Sequence, residues 1–205
     1  MKTAIQRPNV FAVRNPGTGE LFYGCNQAWY GDEWQRRAGC GPSVASHLFA
    51  YSFGLAPKTQ EQSDWLILME DVWNYVTPTT RGMPTTQLFC DSALAYAQAR
   101  GFRMSCKVSD VPEVAVARPS LSEVVRFVAE GLQSDAPVAF LNLCNGEEQC
   151  LYRWHWVTIV ALDFEPDGRR TVATILDEGR RIDIDLAVWH KTTTLGGGFV
   201  WFAPA

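Results

Sequence analysis

The feature that most constrains this chain is a change of periodicity near residue 135. Before it, apolar residues recur in short runs at helical spacing. After it, they come in extended runs broken by turn residues. Ser43 to Ala50 is a run of apolar and small residues behind Pro42, and proline suits the first turn of a helix, where its missing N–H would be unpaired anyway. Trp65, Leu66, Leu68, Met69, Val72 and Trp73 follow Asp64, a spacing that predicts a helix with Asp64 as its N-cap. Thr85 or Thr86 opens another through Leu94 and Ala97 to Arg100-Gly101. Ser120 with Glu123 three residues on is a capping box ahead of Val124, Val125, Phe127, Val128 and Leu132. Strand character follows at 138–143, 154–164, 171–176, 181–184 and 199–202, with Pro166-Asp167-Gly168 as a hairpin turn and the 196–198 glycines as a tight loop. Helices first and antiparallel strands second is an α+β pattern. The 205 residues have no linker or internal repeat, so the expectation is one domain over 1–205, helical over about 40–133 and β-rich over about 136–205.

Charge and cysteine usage narrow the function classes. The net charge is −4, and the basic residues sit in scattered pairs such as Arg36-Arg37, Arg169-Arg170 and Arg180-Arg181. Binding to nucleic acid needs a basic face of one sign, and a membrane-surface helix needs a basic stripe, so neither partner is expected. Residues 1–8 carry no apolar run of a signal peptide, and no stretch approaches 18 apolar residues. The expectation is a cytoplasmic location, with Cys25, Cys40, Cys90, Cys106, Cys144 and Cys150 reduced and mostly serving as small buried hydrophobes.

Cys40 stands apart from the rest. It lies in Gly39-Cys40-Gly41-Pro42-Ser43 at the start of a helix, where free amide hydrogens and the helix dipole favour a thiolate, the nucleophilic form. The flanking glycines are expected to leave a substrate carbonyl room to approach. Far downstream, His155 stands in the apolar run Trp154-His155-Trp156-Val157-Thr158-Ile159-Val160, where an imidazole needs a hydrogen-bonding partner. A helix packed on an antiparallel sheet brings such a cysteine and such a histidine together. His47, within the helix after Cys40, and His190 are expected to be structural. An acid to orient His155 is available in Asp177, at the end of the next strand, with Asp163 and Glu178 as alternatives. An oxyanion donor upstream is available in Gln27 or Gln35, joined by the Cys40 backbone amide. A metal site from Cys144, Cys150 and His155 is disfavoured by its Cys-x5-Cys-x4-His spacing, and no cofactor motif is present.

The order glutamine, Cys-Gly-Pro at a helix start, His-Trp-Val in a strand, then aspartate resembles papain-like cysteine peptidases. It looks most like their bacteriocin-processing (double-glycine) peptidase-like branch. The resemblance spans about residues 24–180 and implies Gln27, Cys40, His155 and Asp177 in the roles of oxyanion donor, nucleophile, base and orienting acid. It implies a thiol hydrolase, peptidase or amidase, acting on a peptide or amide without a cofactor. The chain departs from the branch in its longer gap between histidine and aspartate, in an unmatched helical segment between Cys40 and Ser120, and in carrying no transporter domain. Two further readings share the residues. One is an acyltransferase or transglutaminase-like enzyme using the same triad; the other is a non-catalytic peptide-binding module.

Overall fold

The computed structural model describes residues 1–165 and 170–204. The turn read at Pro166-Asp167-Gly168 lies outside the described residues. The chain begins with β1 (Lys2–Ala4), a hairpin of β2 (Ala12–Arg14) and β3 (Leu21–Tyr23), and a 3-10 turn at Gln27–Trp29. Then come α1 (Glu33–Ala38), α2 (Cys40–Ser52), α3 (Gln62–Trp73), α4 (Thr86–Ala99), β4 (Met104–Val111) and α5 (Leu121–Gln133). The remainder is β5 (Val138–Asn142), β6 (His155–Phe164), β7 (Thr171–Asp177), β8 (Arg180–Asp185), α6 (Leu186–Thr192) and β9 (Gly197–Pro204). Local chemistry explains several boundaries. The Thr85 side chain caps α4 by accepting from Leu88 N, and Ser120 with Glu123 closes a full capping box on α5, each worth about 1 kcal/mol. Asp64 is not a cap: α3 starts earlier, after Glu61, and Asp64 sits in its first turn bonded to Thr59.

The main sheet has the order β4-β9-β5-β6-β7-β8, all antiparallel, and β1 pairs with the far half of β6. The architecture is the expected α+β class, yet two features differ from a helical half laid on a β half. Strands β1 and β4 join the sheet from the N-terminal part of the chain. Helices also cover both faces. His47 of α2 and Phe89 of α4 meet Thr158 and Trp156 on one face, whereas Phe127 and Gly131 of α5 and Trp189 of α6 meet Trp201, Val138 and Phe140 on the other. β4 escapes a sequence reading because it is an edge strand with one paired neighbour, and its Lys107, Ser109 and Asp110 interrupt any apolar run.

The core is aromatic and continuous. Trp156 stacks on Phe89 at 4.4 Å between ring centroids, Phe140 stacks on Phe199 at 4.7 Å, and Trp189 meets Phe140 edge-on at 4.7 Å. All five are buried, and each such side chain removed from water contributes roughly 1.5–3 kcal/mol. Trp156 is thus a packing residue, as its alternation with His155 along β6 requires. Among the described residues, no helix is long and apolar enough to cross a membrane.

Candidate active site

Asp32 caps α1 by accepting from Trp34 N and Gln35 N, and Gly39 both ends α1 and precedes α2. A side chain at Gly39 would collide with the Gln35 carbonyl and the Tyr30 ring, and one at Gly41 would press to 3.0 Å from Met83 Sδ. The two glycines therefore permit close packing around Cys40, rather than holding open a path to it as expected from the sequence. Cys40 itself is half-buried and opens α2, whose first-turn amide hydrogens have no partners within the helix.

His155 is the first residue of β6, so its side chain stands at the end of the sheet, beside the start of α2. Its Nε2 donates to Asp177 Oδ1 at 2.7 Å, and Cys40 lines the same site, close enough to act on the charge of the ring. Burial disfavours a charged imidazole. The hydrogen bonds to Asp177 and Cys40, with Coulombic attraction to both, outweigh burial and push the His155 pKa up to about 10. The net shift favours the imidazolium form of the ring beside the Asp177 carboxylate. Asp177 closes β7, is 5 % exposed, and leaves its Oδ2 with no hydrogen-bond partner among the described residues.

A β-bulge makes the His155–Asp177 contact possible. From Phe164 to Ala161 the β6–β7 register runs Phe164↔Thr171 to Ala161↔Thr174. It then shifts by one residue at Val160, giving Ile159↔Ile175 and Thr158↔Leu176. Continued one step, the shifted register sets Asp177 opposite Val157, which shares a face with His155. In the unshifted register Asp177 would oppose Thr158 and point to the other face, because a one-residue slip turns every side chain over.

Gln27 lines the same narrow site with Cys40, His155 and Asp177, and the space left there is only about 10 Å³. Its amide nitrogen donates to the carbonyl of Arg36, in the last turn of α1, at 3.0 Å, while Oε1 is buried without a partner among the described residues. The side chain is thus tied to the helix end preceding Cys40, and one of its two N–H groups remains for another acceptor. Gln35 makes no side-chain hydrogen bond among the described residues and does not line this site. Asp163 lies at the far end of β6, paired with Lys2, and Glu178 pairs with Arg180 at 3.2 Å. Neither holds the imidazole.

His47 is structural, as its position in a helix suggests. It accepts from Cys25 N at 2.5 Å and bonds Thr158 Oγ1 at 2.8 Å. His190 bonds the Pro119 carbonyl at 2.8 Å. The cysteines follow the expectation of mostly buried thiols only in part: Cys25, Cys90 and Cys144 are buried. Cys150 is exposed and Cys106 half-buried. A hydrogen bond from Thr194 brings the Cys144 pKa down to about 7. No group of three or more His, Cys, Asp or Glu is placed to hold a metal among the described residues.

Cys40 also lines a second cavity, of about 230 Å³. Its lining includes Trp34 and Arg37 of α1, Arg81 and Met83 of the 80–84 loop, and Trp154. Trp34 and Trp154 are readable in sequence as aromatics near the motifs, but the two arginines are not. Arg81 reaches the site from a segment with no periodic signal, held as a turn by paired backbone hydrogen bonds between Thr79 and Gly82 at 2.8 and 2.9 Å.

No family model matches this chain, and no curated protein does. Among solved structures it is similar to UfSP from C. elegans, with a TM-score of 0.56 and 13% identity. That match covers 100% of this chain and 34% of the other, so the chain spans about a third of that protein's length. The shared architecture is an α+β papain-like fold, and the likeness does not extend to the bacteriocin-processing branch.

Proposed function

We propose that this chain is a thiol hydrolase that cleaves peptide or amide bonds, with Cys40 as nucleophile, His155 as acid and base, Asp177 as the residue orienting His155, and Gln27 as oxyanion donor. The observation that supports it most is the His155–Asp177 hydrogen bond in a narrow site that Cys40 and Gln27 also line. The papain-like fold agrees with it. The narrower bacteriocin-processing likeness rests on four short motifs alone.

In this reading, the Cys40 sulfur forms a bond to the substrate carbonyl carbon, and the carbonyl electrons move onto oxygen. The second N–H of Gln27 and the backbone amide of Cys40 donate to that oxyanion. Collapse breaks the bond to the leaving amine, which takes a proton from the His155 imidazolium. Water then attacks the thioester, giving its proton to His155, and Cys40 leaves with the acid product free. Asp177 keeps Nε2 occupied so that the other ring nitrogen faces sulfur.

The test is site-resolved alkylation. Iodoacetamide at mildly acidic pH should label Cys40 ahead of Cys150 and Cys144, and His155→Ala should slow it by about tenfold or more without unfolding the protein. Labelling of Cys40 at the rate of an ordinary thiol, unchanged by His155→Ala, would leave a binding module on a peptidase frame. Adding an amine to a turnover assay separates hydrolysis from acyl transfer by the product formed.

A further inference from the structure

The cavity beside Cys40 has a charge pattern that the proposed chemistry does not use. Its lining includes two exposed arginines, Arg37 and Arg81, and no Asp or Glu. Neither guanidinium has a hydrogen-bond or ion-pair partner among the described residues. Glu33, one turn before Arg37 on α1, makes no ion pair with it, although that spacing commonly supports one. Arg36, by contrast, is committed to the carbonyls of Tyr30 and Gly31 at 2.9 and 2.6 Å. The two open arginines come from separate anchored elements, the last turn of α1 and the Thr79–Gly82 turn, and converge on one cavity. Trp34 and Trp154, 40 % and 56 % exposed, add aromatic walls. Two unpaired planar forks beside apolar walls, next to a nucleophile, suit a carboxylate carried on a peptide.

We propose that this cavity is a subsite for a substrate carboxylate, so that the preferred substrates carry an acidic side chain or a free C-terminal carboxylate close to the scissile bond. This rests on the hydrolase reading above. The arginines bind and orient; they take no part in bond making.

The test separates the two claims. Iodoacetate and iodoacetamide differ only in a carboxylate, so the ratio of their rates at Cys40, divided by the same ratio for glutathione, reports the field in the cavity. In low salt that normalised ratio should exceed one, and Arg37→Gln/Arg81→Gln should lower it by about threefold to tenfold, the range for two partly exposed charges. High salt should have the same effect. A mixed peptide library, with free or amidated C termini, then distinguishes the sources. Enrichment of Asp or Glu at one position among cleaved peptides assigns a side chain, whereas loss of cleavage on amidation assigns the terminal carboxylate. Either pattern, weakened in the double variant, supports the subsite. Fast alkylation with a ratio unaffected by the double substitution overturns the subsite and leaves the hydrolase reading standing. A ratio that responds while no peptide is cleaved leaves an anion-binding cavity and overturns the substrate subsite together with the hydrolase reading. Ordinary reactivity toward both reagents overturns both.

Discussion

His47 sets an acid limit on the stability of the site. It lies inside α2, 2 % exposed, and both ring nitrogens are in use: Nε2 accepts the backbone N–H of Cys25, and Nδ1 bonds Thr158 Oγ1. A backbone N–H can only donate, so Nε2 must be unprotonated, and a second ring proton would set one donor against another. Phe11 and Trp65 meet the ring edge-on, and its titratable hydrogen-bonded neighbour among the described residues is Cys25, whose own pKa burial raises. Burial accordingly lowers the His47 pKa to about 3, from an ordinary 6.5. Between these values the unfolded chain carries a proton that the folded chain refuses, so stability present above pH 6.5 is lost as pH falls toward 3. Linkage puts the full loss at about 5 kcal/mol and the loss between pH 7 and pH 5 at about 2 kcal/mol. His155 acts with opposite sign over the same interval and returns about 1 kcal/mol, so the raw pH dependence is not diagnostic. The comparison with His47→Gln is, because every other titration cancels. Urea unfolding of both proteins should show the wild type losing about 2 kcal/mol more than the variant between pH 7 and pH 5. Parallel curves would refute the assignment of a neutral, doubly bonded His47. The consequence reaches the site, because Cys25 lies two residues before Gln27.

On the alkaline side, the folded pKa of His155 stands above its unfolded value, so its stabilisation is complete below about 6.5 and is lost as pH rises toward 10. Urea midpoints from pH 7 to 10 should fall more steeply for the wild type than for His155→Gln. Asp177→Asn should keep the fold but slow Cys40 alkylation near pH 7 by about tenfold or more, because it removes a carboxylate that holds the imidazolium. Gly24→Ala should destabilise by roughly 2–4 kcal/mol in thermal or urea unfolding: φ is +79° there, and the new methyl would sit 2.5 Å from His47 Nε2. Phe140→Ala should cost about 3–5 kcal/mol, since its ring is fully buried between Phe199 and Trp189.

What the sequence revealed depends on whether a role is written in residue type or in register. Cys40 before Pro42, and His155 alone in an apolar run, are visible because each residue type is costly or unusual where it stands. The capping residues of α4 and α5 are visible for a related reason: their side chains act within three residues of themselves. Asp64 misled because an acidic residue suits the first turn as well as the cap, and only the Glu61 backbone separates the two. The covering of both sheet faces was hidden because α5 has the same amphipathic pattern whichever face it packs against. Arg37 and Arg81 were hidden because an exposed arginine carries no local signature, and the turn that brings Arg81 in is made by backbone bonds. The orienting acid is the most instructive case. Counting along β6 and β7 without a bulge puts Asp177 on the wrong face for His155, while chemistry alone leaves Asp163 and Glu178 in competition with it. The extra residue at Val160 reverses that parity. A bulge has no reliable residue signature in a run as largely apolar as Trp156 to Leu162, so the pairing of His155 with Asp177 is a property of the folded register.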